Sequence, residues 1–209
     1  LFPNSSGWHS DMAVIGSTLF ATDAMFGASR WDVSTQPNVS FVAQPFNSAT
    51  PTRNGDIEED GSHFYMAGDD SGKACLASFA PNSTLKDKVT SPTVATAASG
   101  RAADFALGKG SVSGYGFLIG TGSNKVQVYK LSSGNFSDLG DVTLSTGPVT
   151  LDGVEVDPSG NFLLVTDKSL GKVYSYRIEQ SGTNIGKPDG SAPVSSVTVP
   201  NARKLLVAQ

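Results

Sequence analysis

Four marked turns constrain this chain more than any other feature. Gly27, Gly72, Asn124 and Gly171 each stand just before a strand-like run, at intervals of 45, 52 and 47 residues. A second apolar or β-branched run precedes each marker, at 18–22, 63–67, 116–120 and 162–166. The run that follows each marker lies at 29–33, 74–79, 125–131 and 172–178. The clearest copy is 153–178, where Asp157-Pro158-Ser159-Gly160 separates two of the runs. Pro fixes φ at the second turn position and Gly permits φ > 0 near its end, so this tetrapeptide reads as a tight turn. Gly72-Lys73, Asn124-Lys125 and Gly171-Lys172 repeat even the residue type after the marker.

One such unit cannot bury its own apolar face, whereas stacked units share a core. Four short strands per copy is the pattern of propeller blades. The expectation is an all-β, β-propeller-like single domain over 1–209, with blades at 8–47, 53–96, 100–145 and 150–199. A β-sandwich and part of a larger propeller are the alternatives. A leftover strand at 203–208 would close a four-bladed ring or begin a further blade, which a second chain could complete.

Composition narrows the partners. Only 16% of residues are charged, and the net charge of −4 offers no basic patch for nucleic acid or an anionic membrane. No apolar run approaches the roughly 18 residues of a membrane span. Cys75 is the only cysteine, so an intrachain disulfide is impossible. Four Asn-X-Ser/Thr sequons, at Asn4, Asn38, Asn82 and Asn135, point instead to a secreted, extracellular glycoprotein. Three of them fall at expected turns, where a glycan has room.

At the fourth copy the residues carry a family likeness. Gly153-Val154-Glu155-Val156-Asp157-Pro158-Ser159-Gly160-Asn161-Phe162-Leu163-Leu164-Val165-Thr166-Asp167, followed by Lys172-Val173-Tyr174-Ser175-Tyr176, resembles a blade of the lactonase-type seven-bladed propellers. That group includes 6-phosphogluconolactonase-like and fungal carboxymuconate-cyclase-like proteins. Asn124-Lys125-Val126-Gln127-Val128-Tyr129 is a fainter version. The resemblance implies the fold. It transfers no catalytic residue, because the His common in those families at the entry to the innermost strand is matched here by Asp152, and His9 and His63 are the only histidines.

The innermost strand of each blade lines the channel, so residues that recur there face one another. Asp11, Asp56 and Glu155 stand 16 residues before Gly27, Gly72 and Gly171, and Asp104 takes the same place once the insertion 108–114 is allowed for. Carboxylates brought together cannot all stay ionised uncompensated. A calcium ion with oxygen ligands would compensate them, as would Arg53 and Arg101 just upstream. The other reading makes each acid an acceptor for backbone N–H groups of the next blade. Arg53, Arg101, Asp152 and Trp8 are the candidate ligand-binding residues at the channel mouth. The chain lacks a Gly-X-Ser-X-Gly nucleophile motif. The first functional expectation is therefore a lectin-like scaffold binding a small molecule or carbohydrate. A lactonase- or cycloisomerase-like enzyme and a structural extracellular protein are the alternatives.

Overall fold

The computed structural model describes residues 9–23, 27–35, 40–43, 53–82, 84–96, 103–148 and 150–201. They form four antiparallel sheets, each of four strands that neighbour one another in chain order. The first sheet holds β1 (His9–Ile15), β2 (Thr18–Asp23), β3 (Gly27–Asp32) and β4 (Ser40–Ala43). The second holds β5 (Arg53–Glu59), β6 (Phe64–Asp70), β7 (Lys73–Phe79) and β8 (Leu85–Ala95). The third holds β9 (Ala103–Leu107), β10 (Tyr115–Gly120), β11 (Lys125–Ser132) and β12 (Asn135–Thr143). The fourth holds β13 (Gly153–Val156), β14 (Phe162–Asp167), β15 (Lys172–Arg177) and β16 (Ser195–Thr198). No α-helix occurs among the described residues, only single 3₁₀ turns at Gly110–Val112 and Gly182–Asn184.

The strands form where the sequence alternates or runs apolar, and the marker turns close them. Gly72 and Gly171 have φ of +82° and +57°, backbone that glycine adopts without a side-chain penalty. β7 reads Lys-Ala-Cys-Leu-Ala-Ser-Phe and is buried on both faces from Ala74 onward, because its sheet lies between two others. Small residues there let the sheets approach closely. Gly55 is the extreme case: a Cβ on it would meet the Ala103 carbonyl oxygen of the next sheet at 1.9 Å.

β1 lies beside β5, β5 beside β9 and β9 beside β13, so the innermost strands line a common channel. Three apolar layers join the sheets. Ala13, Phe20 and Ala28 pack on Ile57, Phe64 and Met66. Tyr65, Ala67 and Leu76 pack on Phe105, Leu118 and Tyr129. Phe117, Ile119 and Val128 pack on Val154, Leu163, Val165 and Tyr176. This succession of face-to-face sheets is a propeller arrangement, not a sandwich of two. Among the described residues no comparable packing joins β13 back to β1, so the four sheets make an open arc. The leftover strand expected at 203–208 lies outside the described residues.

Candidate channel-mouth site

One end of the channel is framed by the residues that enter the innermost strands. Arg53 is the first residue of β5, its backbone opposite Asp69 of β6. Asp152 immediately precedes β13, where its N–H donates to the Thr166 carbonyl at 3.0 Å. The Asp152 side chain is half-exposed, and among the described residues nothing hydrogen-bonds its carboxylate. Trp8 and Arg101, the other two candidates for this end, lie outside the described residues.

The segments around this mouth are held by acids in the turns. Asp167 is fully buried and accepts hydrogen bonds from the Thr150 N–H at 3.0 Å and the Leu170 N–H at 3.0 Å. Asp69 does the same work two sheets earlier, accepting from the Thr96 hydroxyl and from the Gly72 N–H at 3.3 Å. Each ties the chain entering or leaving a blade to the turn after its second strand.

The carboxylates expected to form a ring are placed by the same inner strands, but each serves a different neighbour. Asp56 Oδ2 accepts the Phe105 N–H of the next sheet at 3.2 Å. Asp104 Oδ2 accepts the Val154 N–H of the sheet after that at 2.8 Å. Asp11 Oδ1 accepts the N–H of its own neighbour Met12 at 2.9 Å. Glu155 Oε1 accepts from Lys109 Nζ at 3.1 Å and from the Val156 N–H at 2.8 Å. Among the described residues no group of three or more His, Cys, Asp or Glu side chains is gathered to hold a metal ion. Asp56 and Asp104 instead act as clasps between consecutive blades.

Glu155 also proves to be out of step with the others. The clasps pair Phe105 with Val154, which puts Gly153 in the place of Asp104. Asp11 pairs with Thr22 and Asp56 with Ala67, 11 residues on in each case, whereas Gly153 pairs with Thr166, 13 residues on. The first hairpin of the fourth blade is two residues longer, so counting back 16 from Gly171 stops two residues short, at Glu155 rather than Gly153. Lys109, which pairs with Glu155, sits in the insertion that lengthens the third blade. No spacing in the sequence announces that pair.

A second concavity lies at the outer rim, between β12 and the loop 179–190. It has a volume of about 430 Å³ and is lined by Asp141, Glu179, Asn184, Lys187 and Asp189 among others. Asp141 is already paired with Lys125 at 3.1 Å. Asp189 is held by the Ser191 N–H at 3.0 Å and hydroxyl at 2.7 Å, which keep its carboxyl below the ordinary range. These two acids of the rim cavity are satisfied by the protein itself.

Asn82 is exposed at the turn after β7, where its Oδ1 accepts the Thr84 N–H at 3.0 Å. Asn135 is exposed at the turn opening β12 and donates to the Ser132 carbonyl at 3.1 Å. Asn4 and Asn38 lie outside the described residues. Cys75 is buried, and that burial pushes its thiol up to about 11, which makes it inert at neutral pH. Trp31 is buried with its Nε1 donating to Ser29 Oγ at 2.9 Å, so it fills a blade face.

No protein-family model matches the chain, and no curated protein matches it in sequence. Solved structures do match its shape. A candidate 6-phosphogluconolactonase from Bacteroides fragilis superposes with a TM-score of 0.69 at 15% identity, covering 95% of this chain and 57% of that one. The periplasmic gluconolactonase of Pseudomonas aeruginosa gives 0.68 at 16% identity, over 93% of this chain and 55% of that one. Regucalcin from Agrobacterium tumefaciens, described as a calcium-binding protein, gives 0.62 at 11% identity, over 95% and 63%. The chain thus spans between 55% and 63% of the length of these structures. Identities this low carry the architecture alone, and that architecture is the lactonase-type propeller.

Proposed function

We propose that this chain binds a small hydroxylated lactone, or the acid derived from it, at the channel mouth and opens the ring by hydrolysis. The observation that carries the reading is Asp152, a half-exposed carboxylate without a hydrogen-bond partner among the described residues, at the entry to an innermost strand. The neighbouring acids are spent on backbone clasps, so Asp152 is the carboxylate left for chemistry. The lactonase-type architecture supports the substrate class.

In the proposed step Asp152 takes a proton from water as the water oxygen attacks the lactone carbonyl carbon. The tetrahedral intermediate collapses by breaking the ring C–O bond. The proton passes to the departing alkoxide, and the product is a hydroxy acid. Arg53, at the same end of its own inner strand, is the proposed anchor for the negative charge that develops. Calcium, which the likeness to regucalcin supports, would need at least six oxygen ligands. The described acids do not gather to supply them, and the step is not routed through a metal.

A binding scaffold without turnover, lectin-like and secreted with glycans on Asn82 and Asn135, is the second reading. It is favoured by the use of the other inner-strand acids for structure. A panel of aldonolactones assayed by acid release separates the two. The first reading expects saturable turnover that falls at least about 100-fold in Asp152→Asn while the unfolding midpoint holds. Saturable binding by calorimetry without acid release would establish the scaffold instead.

A further inference from the structure

We propose that the cavity at the outer rim, between β12 of blade three and the loop 179–190 of blade four, binds a small zwitterion with one extra cationic group, as a basic amino acid has. Two facing charges that do not join carry this. The antiparallel bridge of Ile178 with Pro188 sets Glu179 against Lys187, and the Glu179 N–H donates to the Lys187 carbonyl at 2.9 Å. Opposite charges on facing strand positions ordinarily pair. Here both side chains are partly buried in the cavity wall, and among the described residues neither makes a hydrogen bond or an ion pair. Lys187 reaches instead towards blade three, where a Cβ on Gly140 of β12 would meet its Nζ at 3.8 Å. An unpaired carboxylate and an unpaired ammonium therefore share one cavity of about 430 Å³.

The cavity walls are fixed without a ligand. The loop is fastened to its own blade by the Asp189 N–H, which donates to the Arg177 carbonyl at 2.8 Å, and closed on itself by the Gly186 N–H, which donates to the Glu179 carbonyl at 2.8 Å. Across the junction the Ser145 N–H and hydroxyl both donate to the Gly190 carbonyl, at 2.9 and 3.0 Å. The loop lies so close to blade three there that a Cβ on Gly190 would stand 2.4 Å from the Thr143 carbonyl oxygen. A site held in this way loses little to ordering when a ligand enters. The charges then select the ligand. Asp141, Glu179 and Asp189 are negative, while Lys187 and Lys125, the partner of Asp141, are positive, which leaves an excess of one negative charge. A neutral sugar would leave Glu179 and Lys187 both uncompensated, a simple anion would leave Glu179, and a simple amine would leave Lys187. A ligand with its carboxylate on Lys187, its ammonium on Glu179 and a second cation towards Asp189 answers all three.

Isothermal titration calorimetry with L-arginine tests this, with agmatine, which is arginine without its carboxylate, as the paired probe. Saturable binding of L-arginine is expected, with agmatine at least about 10-fold weaker. Glu179→Gln and Lys187→Met should each weaken arginine binding at least about 10-fold, with the sheet signal in circular dichroism intact. Asp152→Asn, at the channel mouth, should leave arginine binding unchanged. No saturable binding of arginine by the wild type would overturn the proposal, as would agmatine or glucose binding as tightly as arginine. So would an arginine affinity that neither Glu179→Gln nor Lys187→Met alters. A loss confined to Asp152→Asn would assign the arginine to the channel mouth and overturn the rim site. If one rim variant fails to fold, the other tests the same cavity from the facing strand.

Discussion

Blades three and four share a repeat but not a situation. Blade three is covered on both faces and its inner strand is clasped at both sides, giving its Phe105 N–H to Asp56 and accepting the Val154 N–H through Asp104. Blade four is clasped on one side only. Its other face replaces the row Asp104 and Ala106 with Gly153 and Glu155, and Glu155 is held there by Lys109 reaching across from blade three. The sequence repeats the strand pattern in both because strand formation is local. What differs is the neighbour, and the neighbour decides whether a position is a core position, a clasp or an ion pair.

Matched substitutions test that comparison, starting with the apolar rows. Phe117 of blade three and Leu164 of blade four occupy the same place, opposite Ala106 and Glu155. Phe117 is completely buried and Leu164 only partly. Phe117→Ala should cost about 3–5 kcal/mol in urea unfolding, because it opens a cavity in a covered layer. Leu164→Ala should cost about 1 kcal/mol, in proportion to the smaller area it keeps from water. Equal losses would mean that the free face of blade four is as well covered as the inner junctions.

The acids come next. Asp104→Ala leaves the buried Val154 N–H without its acceptor and should cost about 1–3 kcal/mol. Glu155→Gln keeps a hydrogen-bonding side chain in place and leaves Lys109, itself partly exposed, without its counter-charge. A loss of about 1 kcal/mol is expected there. The sign matters more than the size. A ring of mutually repelling carboxylates would make Glu155→Gln stabilising, and a measured gain would restore that ring against the pairing with Lys109.

The smallest effect is one that two different blades should share. Asp60, in the first turn of blade two, and Asp157, in the first turn of blade four, are alike. Burial opposes their ionisation, but hydrogen bonds outweigh it: from Tyr65, Ser62 and His63 to Asp60, and from Ser159 and Phe162 to Asp157. Both carboxyls therefore sit below the ordinary value of 3.8 in the folded state. Groups depressed in this way stabilise the fold above the unfolded value and lose that contribution as pH falls through the folded one. The melting temperature should drop below about pH 4, and Asp60→Asn or Asp157→Asn should each flatten that drop. A steeper drop in either variant would show that the turn acids do not work alike.

Most of the fold was legible in the chain because its causes are short-range. The turn markers at Gly27, Gly72, Asn124 and Gly171, with the apolar runs on either side, set four sheets of four strands in order. Alternation in β15, and the small and apolar residues of β7, followed from how many faces of each strand are covered. The candidate site was legible only as a row of positions. Arg53, Asp152 and the acids were found by offset, but offset could not tell a ligand from a clasp. Which N–H each carboxylate meets depends on how closely two sheets approach, and Gly55 against Ala103 sets that distance at one junction. The two-residue lengthening of one hairpin then moved Glu155 off the row and into reach of Lys109. A residue's type was written in the sequence; its partner lay some 50 positions away, and only the packing of one blade on the next chose it.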